Sequence, residues 1–312
     1  MRYIYYFFLI LLNFISAQID YGFDFSKSGS AGFQFLKINT DALTSSLGGA
    51  AATVNVGSQV LNTNVAGIAG GNRHAITFSN GNWLSNSKIN NVSFVTRYRD
   101  YYFGLLITSL NIKPFERTTV SMPNGTGETV SAGNNLIGFA IAKSFTDKLN
   151  LGLQLKYVEE ILDVYNLNNL MIDVGSLYST GFRDIKIAFI LQHFGPDISP
   201  IKMKFRAPLL FRIGVSDAII KSRKNSLKIM LELFHPTDDE DFSVIGFEYS
   251  LYDKIFFRLG NQITSDLFGL SYGIGIYKIS LLKMLNLSID YSLVVPNKLF
   301  NDLHTISLTL SI

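Results

Sequence analysis

Four charged residues stand where charge is costly. Arg212, Glu232, Glu248 and Arg258 each interrupt a run of apolar residues: Phe211, Ile213 and Val215; Leu231 and Leu233; Phe247 and Tyr249; Phe257 and Leu259. Carboxylates beside guanidinium groups accept strong, often bidentate hydrogen bonds, so two acids between two arginines suit an ion-pair network. Such a network has two uses. It fills and stiffens an interior, or it offers a selectivity or substrate-contact surface. Lys228 and Asp290 sit in the same kind of position.

Other chemistry is thin. His74, His193, His235 and His304 lie far apart with no ligand spacing. The run Asp238-Asp239-Glu240-Asp241 carries the oxygens a hard cation wants, but it lacks the glycine and spacing of a calcium loop and reads as a solvated acidic loop. Gly48-Gly49 and Pro123–Gly127 are glycine-rich. A phosphate cradle needs a helix N-terminus behind it, and none follows the second stretch, which reads as a turn. No acid, base and nucleophile converge. The sequence therefore predicts no enzyme, and no catalytic residue, cofactor or metal site.

The elements that place these charges show best in Leu149–Val158. Leu149, Leu151, Leu153, Leu155 and Tyr157 share one parity; Asn150, Gly152, Gln154 and Lys156 share the other. Successive strand side chains point to opposite faces, so one face is apolar and the other polar. The same alternation returns, about ten residues at a time, along most of the chain. It predicts an all-β fold: a transmembrane antiparallel β-barrel of about fourteen strands, with lipid outside and a polar lumen inside. Composition agrees. Of 312 residues, 47% are hydrophobic and only 16% charged, and the 25 glycines suit tight turns. A net charge of +3, with no basic patch carrying interleaved aromatics, argues against nucleic acid as a partner. Zero cysteines exclude disulfides and thiolate metal sites.

Three segments are expected. Residues 1–17 read as a signal peptide: Arg2, an apolar core over Tyr3–Leu12, and Ile15-Ser16-Ala17 before the cleavage point. Export would deliver the chain to the outer membrane of a diderm bacterium. Residues 18–72 read as a plug or lead-in, with a short helix within Asp41–Val54 capped by Thr40 or Asp41, and a turn at Asn64–Ala69. Residues 73–312 read as the barrel, with strands near 73–80, 88–98, 101–111, 129–145, 148–160, 169–180, 183–193, 207–217, 226–235, 242–251, 254–262, 268–279, 284–294 and 303–312.

The connections alternate. Arg99-Asp100, Thr146-Asp147, Gly181-Phe182 and Tyr252-Asp253 are tight; Ile112–Glu128, Phe194–Arg206, Pro236–Asp241 and Pro296–Asp302 are long. Barrels of this kind put short turns in the periplasm and longer loops outside. Ile219–Lys224 is too long for its short-turn end. Tyr98, Tyr101, Tyr102, Tyr249, Tyr252 and Phe256 gather near tight turns, as an aromatic girdle does. Met230, Phe234 and Ile190 are apolar residues on the inward parity, too scattered for a continuous apolar path.

Several phrases together resemble the PorV/PorQ family of outer-membrane proteins, which are similar in fold to FadL-type channels. They are Phe35–Ile38 with Asp41-Ala42 and Leu47–Ala50; Asn64–Ala69; Pro123–Glu128; Thr146-Asp147; Lys156-Tyr157; Asp173–Gly175; Phe194–Pro196; Pro208–Gly214; and His235–Asp238. The resemblance implies a fourteen-stranded barrel with an N-terminal segment in or near the lumen. It also implies a protein-binding role in type IX protein secretion, with secretion-machinery proteins and exported cargo as partners beside outer-membrane lipid. The alternative is a FadL-like transporter of hydrophobic small molecules.

Overall fold

A computed structural model describes residues 29–198, 205–263, 265, 268–282, 285–296 and 300–312. The signal peptide expected at 1–17 and the start of the lead-in lie outside the described residues. Fourteen antiparallel strands close into one barrel. They are β1 (His74–Asn82), β2 (Lys88–Tyr98), β3 (Tyr101–Asn111), β4 (Ala132–Ser144), β5 (Leu149–Leu162), β6 (Tyr165–Ser179), β7 (Lys186–Phe194), β8 (Leu210–Lys221), β9 (Asn225–Pro236), β10 (Phe242–Leu251), β11 (Ile255–Ile263), β12 (Phe268–Leu282), β13 (Leu285–Pro296) and β14 (Leu303–Ser311). Closure is made by β1 on β14, with Thr77 opposite Thr309 and Phe78 opposite Leu308. No strand edge is left unpaired around the ring, as a bilayer core requires.

The exposure pattern inverts that of a water-soluble sheet. On β5, Leu153 and Leu155 are 48% and 49% exposed while Lys156 between them and Tyr157 is 0% exposed. Apolar residues on the outer wall and charge inside are what hydrocarbon surroundings select. Among the described residues no helix is long and apolar enough to cross a membrane.

The expected plug is present, and it fills the lumen. Ala31 bridges Arg206 in the β7–β8 loop, and the Phe33 backbone N–H donates to Glu160 at the long-loop end of β5. At the other end the Asn150 side chain donates to the Ala69 carbonyl. The segment therefore threads the barrel from its long-loop mouth to its short-turn mouth. Within it, helix α1 spans only Ala42–Ser46, with Asp41 accepting from the Thr44 N–H at 2.8 Å as the N-cap. It does not reach Val54, because Gly48 and Gly49 turn the backbone left-handed. Asn64–Ala69, expected as a turn, is a 3-10 turn over Val65–Ile68 capped by the Asn64 side chain.

Several boundaries differ from expectation. Residues 129–145 do not form one strand: Thr129–Val130 pair with Phe115–Glu116 in a small separate hairpin, and β4 begins at Ala132. The long connection at Ile219–Lys224 disappears, because β8 continues to Lys221 through an irregularity between Ala218 and Ile220. Gly181-Phe182 is not a tight turn; β6 ends at Ser179 and β7 begins at Lys186. The β5–β6 connection is short although it lies at the long-loop end. Of the expected girdle, Tyr98, Tyr101 and Tyr252 face outward, but Tyr102 is buried inside, and Phe256 packs inward on the Tyr277 ring at 4.5 Å.

Candidate functional site: the plug and the lumen wall

The four predicted charges all face inward, on four successive strands. They form two clusters rather than one network across the lumen. The first joins β8 and β9. Arg212 Nε and Nη2 each lie 2.5 Å from Glu232 Oε1. Its Nη1 donates to Gln192 at 3.1 Å and its Nη2 to the Gly49 carbonyl at 3.0 Å. Glu232 accepts from the Ala52 N–H at 3.0 Å. Both members of this pair therefore hold plug backbone. The guanidinium also lies over Phe234, which stacks on Phe242.

The second cluster joins β9 to β13. Glu248 stands directly opposite Arg258 in the register, and accepts from its Nε at 2.8 Å. Lys228 reaches the same carboxylate at 3.2 Å. Arg258 then crosses β12 to Asp290, at 2.7 Å. It can do so because Gly275 carries no side chain: a carbon there would sit 3.1 Å from Arg258 Nη1 and 2.5 Å from Asp290 Oδ1. Asp290 accepts from plug residue Gln59 at 2.6 Å, and Arg258 Nη2 donates to Tyr277 Oη at 3.0 Å. Glu248, Arg258 and Asp290 are buried and partnered, as buried charge must be, whereas Lys228 is exposed at the mouth.

A third ion pair escaped the sequence reading. Lys156 on β5 meets Asp173 on β6 at 2.5 Å, and Asp173 also accepts from the His193 N–H at 2.8 Å. Lys156 and Asp173 were visible as polar-parity residues in adjacent strands. His193 was not, because its strand parity points outward. A register irregularity opposite Asp173 and a left-handed φ of 62° turn it inward. Gln59 and Gln192 were also missed, since nothing local in the sequence says which plug atoms meet which wall.

The acidic run Asp238–Asp241 is only partly solvated. Asp238 is buried, and it holds the plug through Lys37 at 2.8 Å and Gln34 at 2.5 Å. Among the described residues no three His, Asp or Glu side chains converge as metal ligands.

The lumen is divided by chemistry. The charged clusters occupy the β8–β13 side. The most apolar part of the wall is on β3 and β4, beside the Lys156–Asp173 pair of β5 and β6: β3 presents Tyr102, Gly104, Leu106, Thr108 and Leu110 inward from one mouth to the other, and β4 presents Asn134, Leu136, Gly138, Ala140 and Ala142. This apolar stretch lies on different strands from Met230, Phe234 and Ile190, which are also buried, on β9 and β7. Plug residues Leu61, Val65 and Ile68 cover it. At the long-loop mouth two cavities of about 60 Å³ flank the plug strap, and both touch Lys37 and Asn39. Each has room for only a handful of waters, far short of an open channel.

No family model and no curated protein matches the chain. Solved structures do. The Ralstonia pickettii toluene transporter TbuX superposes with a TM-score of 0.58 at 15% identity, covering 86% of this chain and 96% of that one. The Pseudomonas putida toluene transporter TodX gives 0.61 at 11% identity, covering 87% and 96%. A Pseudomonas aeruginosa FadL homologue gives 0.56 at 9% identity, covering 87% and 97%. The fold is that of the FadL-type transporters. The FadL-like barrel expected from the sequence is thus present, while the narrower PorV/PorQ resemblance finds no support among these matches.

Proposed function

We propose that this chain is a gated outer-membrane conduit for small hydrophobic molecules. The observation that carries this reading is the largely apolar inner face of β3 and β4, broken by Thr108 and Asn134, against which plug residues Leu61, Val65 and Ile68 pack. The charged half of the wall is saturated by its own ion pairs and by plug backbone, so it offers a hydrophobic solute little. The cavities beside Lys37 and Asn39 supply a first foothold, and their size suits a compact solute such as a single ring better than a long acyl chain. TbuX and TodX, of the same fold, are toluene transporters. Passage requires that the plug leave the apolar face.

The test locks the plug. Ser58 Oγ in the plug lies 2.7 Å from Thr77 Oγ1 on β1, within the reach of a disulfide. The chain has no cysteine of its own, so Ser58→Cys/Thr77→Cys introduces the sole pair. Oxidised cells should lose uptake of labelled toluene and recover it on reduction. Equal uptake in both states would reject the gated conduit. The second reading, a protein-binding component of type IX secretion, draws on the sequence resemblance alone. A gene deletion that depletes signal-bearing proteins from the medium while leaving hydrocarbon uptake intact would favour it.

A further inference from the structure

Both rims of the barrel pair some cations with acids: Arg117 with Asp163 and Glu128 at 2.5 and 3.0 Å and Lys37 with Asp238 at 2.8 Å at the long-loop end, and Arg183 with Asp217 at 2.9 Å and Lys221 with Asp184 at 2.6 Å at the short-turn end. The short-turn end adds a set of cations that lie on aromatic rings. Arg99 sits 5.4 Å from the Tyr98 ring, Lys143 sits 4.8 Å from Tyr101 and 5.7 Å from Phe145, and Lys224 sits 5.9 Å from Tyr252. Among the described residues none of these three cations has an acidic partner within ion-pair distance.

The rings belong to the outer wall. Tyr98, Phe145 and Tyr252 are 63%, 60% and 61% exposed. Lys143 shares the parity of Phe139 and Ile141, which face lipid, and stands opposite Tyr101 in the β3–β4 register. A ring face satisfies one side of a cation. These rings sit at strand ends, where hydrocarbon gives way to headgroups, the usual place for interfacial aromatics. An acidic protein docking from the periplasm would meet the end of the barrel, not this flank. A lipid phosphate meets it directly.

We propose that the short-turn rim of the barrel, through Arg99, Lys143 and Lys224 on their aromatic rings, binds the phosphates of anionic phospholipids in the inner leaflet. The proposal is independent of what passes through the lumen. Cations near an anionic lipid surface are attracted additively, and here three of them stand on outward rings of one rim.

The test uses the full chain in bilayers. Trp83→Phe removes the single native tryptophan, and Phe103→Trp places a reporter on the outer wall of β3, one outward position from Tyr101. Quenching by brominated phosphatidylglycerol is compared with quenching by brominated phosphatidylcholine. The reporter should favour phosphatidylglycerol by about fivefold. The further change Arg99→Gln/Lys143→Gln/Lys224→Gln should abolish the preference, and Lys143→Glu alone should reduce it. Inorganic phosphate added to the buffer should leave it intact, since a soluble anion lacks the acyl chains that hold the headgroup on the flank. No preference in the parent protein, a preference surviving the triple change, or one cancelled by free phosphate would overturn the proposal. Heat-dependent gel migration confirms that each variant is a folded barrel.

Discussion

Arg258 is fixed from three sides, by Glu248, Asp290 and Tyr277. Removing one member of a buried ion pair leaves the others charged and dry, which costs about 3–5 kcal/mol. Arg258→Met should therefore lower the stability of the refolded barrel by about that amount in urea titration, whereas Gln59→Ala, which touches only the plug side of Asp290, should cost far less. Asp41 gives a pH signature. Burial pushes its carboxyl up from 3.8 to about 6, against the hydrogen bond from the Thr44 N–H. An acid with a raised folded pKa holds its proton more tightly when folded. Its contribution is complete below the unfolded pKa and is lost as pH rises through about 6. The difference is worth roughly 3 kcal/mol. The unfolding midpoint should fall as pH is raised across that window and level off above it. Asp41→Asn keeps a good N-cap and should flatten the dependence; an unchanged slope would show that another group is responsible.

The plug and the wall are fitted at backbone distance. Gly246 and Gly260 face each other on β10 and β11, and a side-chain carbon at Gly260 would overlap the backbone joining Leu47 and Gly48. Gly260→Val should leave the strands paired yet expel this stretch of plug. Cells carrying it should admit small dyes several-fold faster, while the purified barrel keeps its heat-dependent migration. Unchanged permeability would mean the plug is not the barrier. This fit marks the boundary of what the sequence reveals. Each strand was legible because alternation is a local, two-residue rhythm, and so was the inward direction of Arg212, Glu232, Glu248 and Arg258. Their grouping was not. Arg258 reaches Asp290 only because Gly275 opens the strand between them, and Arg212 is completed by Gly49 of a segment far away in the chain. His193 was illegible for another reason: a one-residue irregularity cancels the parity rule.

On the scale of the whole molecule, both ends of the barrel wall fall at one mouth. β1 begins there and β14 finishes there, because an even number of antiparallel strands returns the chain to its starting side. The same mouth carries the tight turns, including Arg99-Asp100 and the connection between Lys221 and Asn225. The opposite mouth carries the long β3–β4 loop, with Val120 fully exposed, and the acidic β9–β10 loop. A barrel inserted from the periplasm has its strand termini and short turns facing back toward it. Proteinase K added to intact cells should therefore cut within the β3–β4 loop near Val120. It should spare the exposed, basic turn at Arg223 and Lys224 until the outer membrane is permeabilised. Fragment masses distinguish the two sites, since one falls in the first half of the chain and the other well into the second. Cleavage at Arg223 or Lys224 in intact cells would invert the barrel, put Arg99, Lys143 and Lys224 in the outer leaflet, and reverse the direction in which the plug threads the lumen.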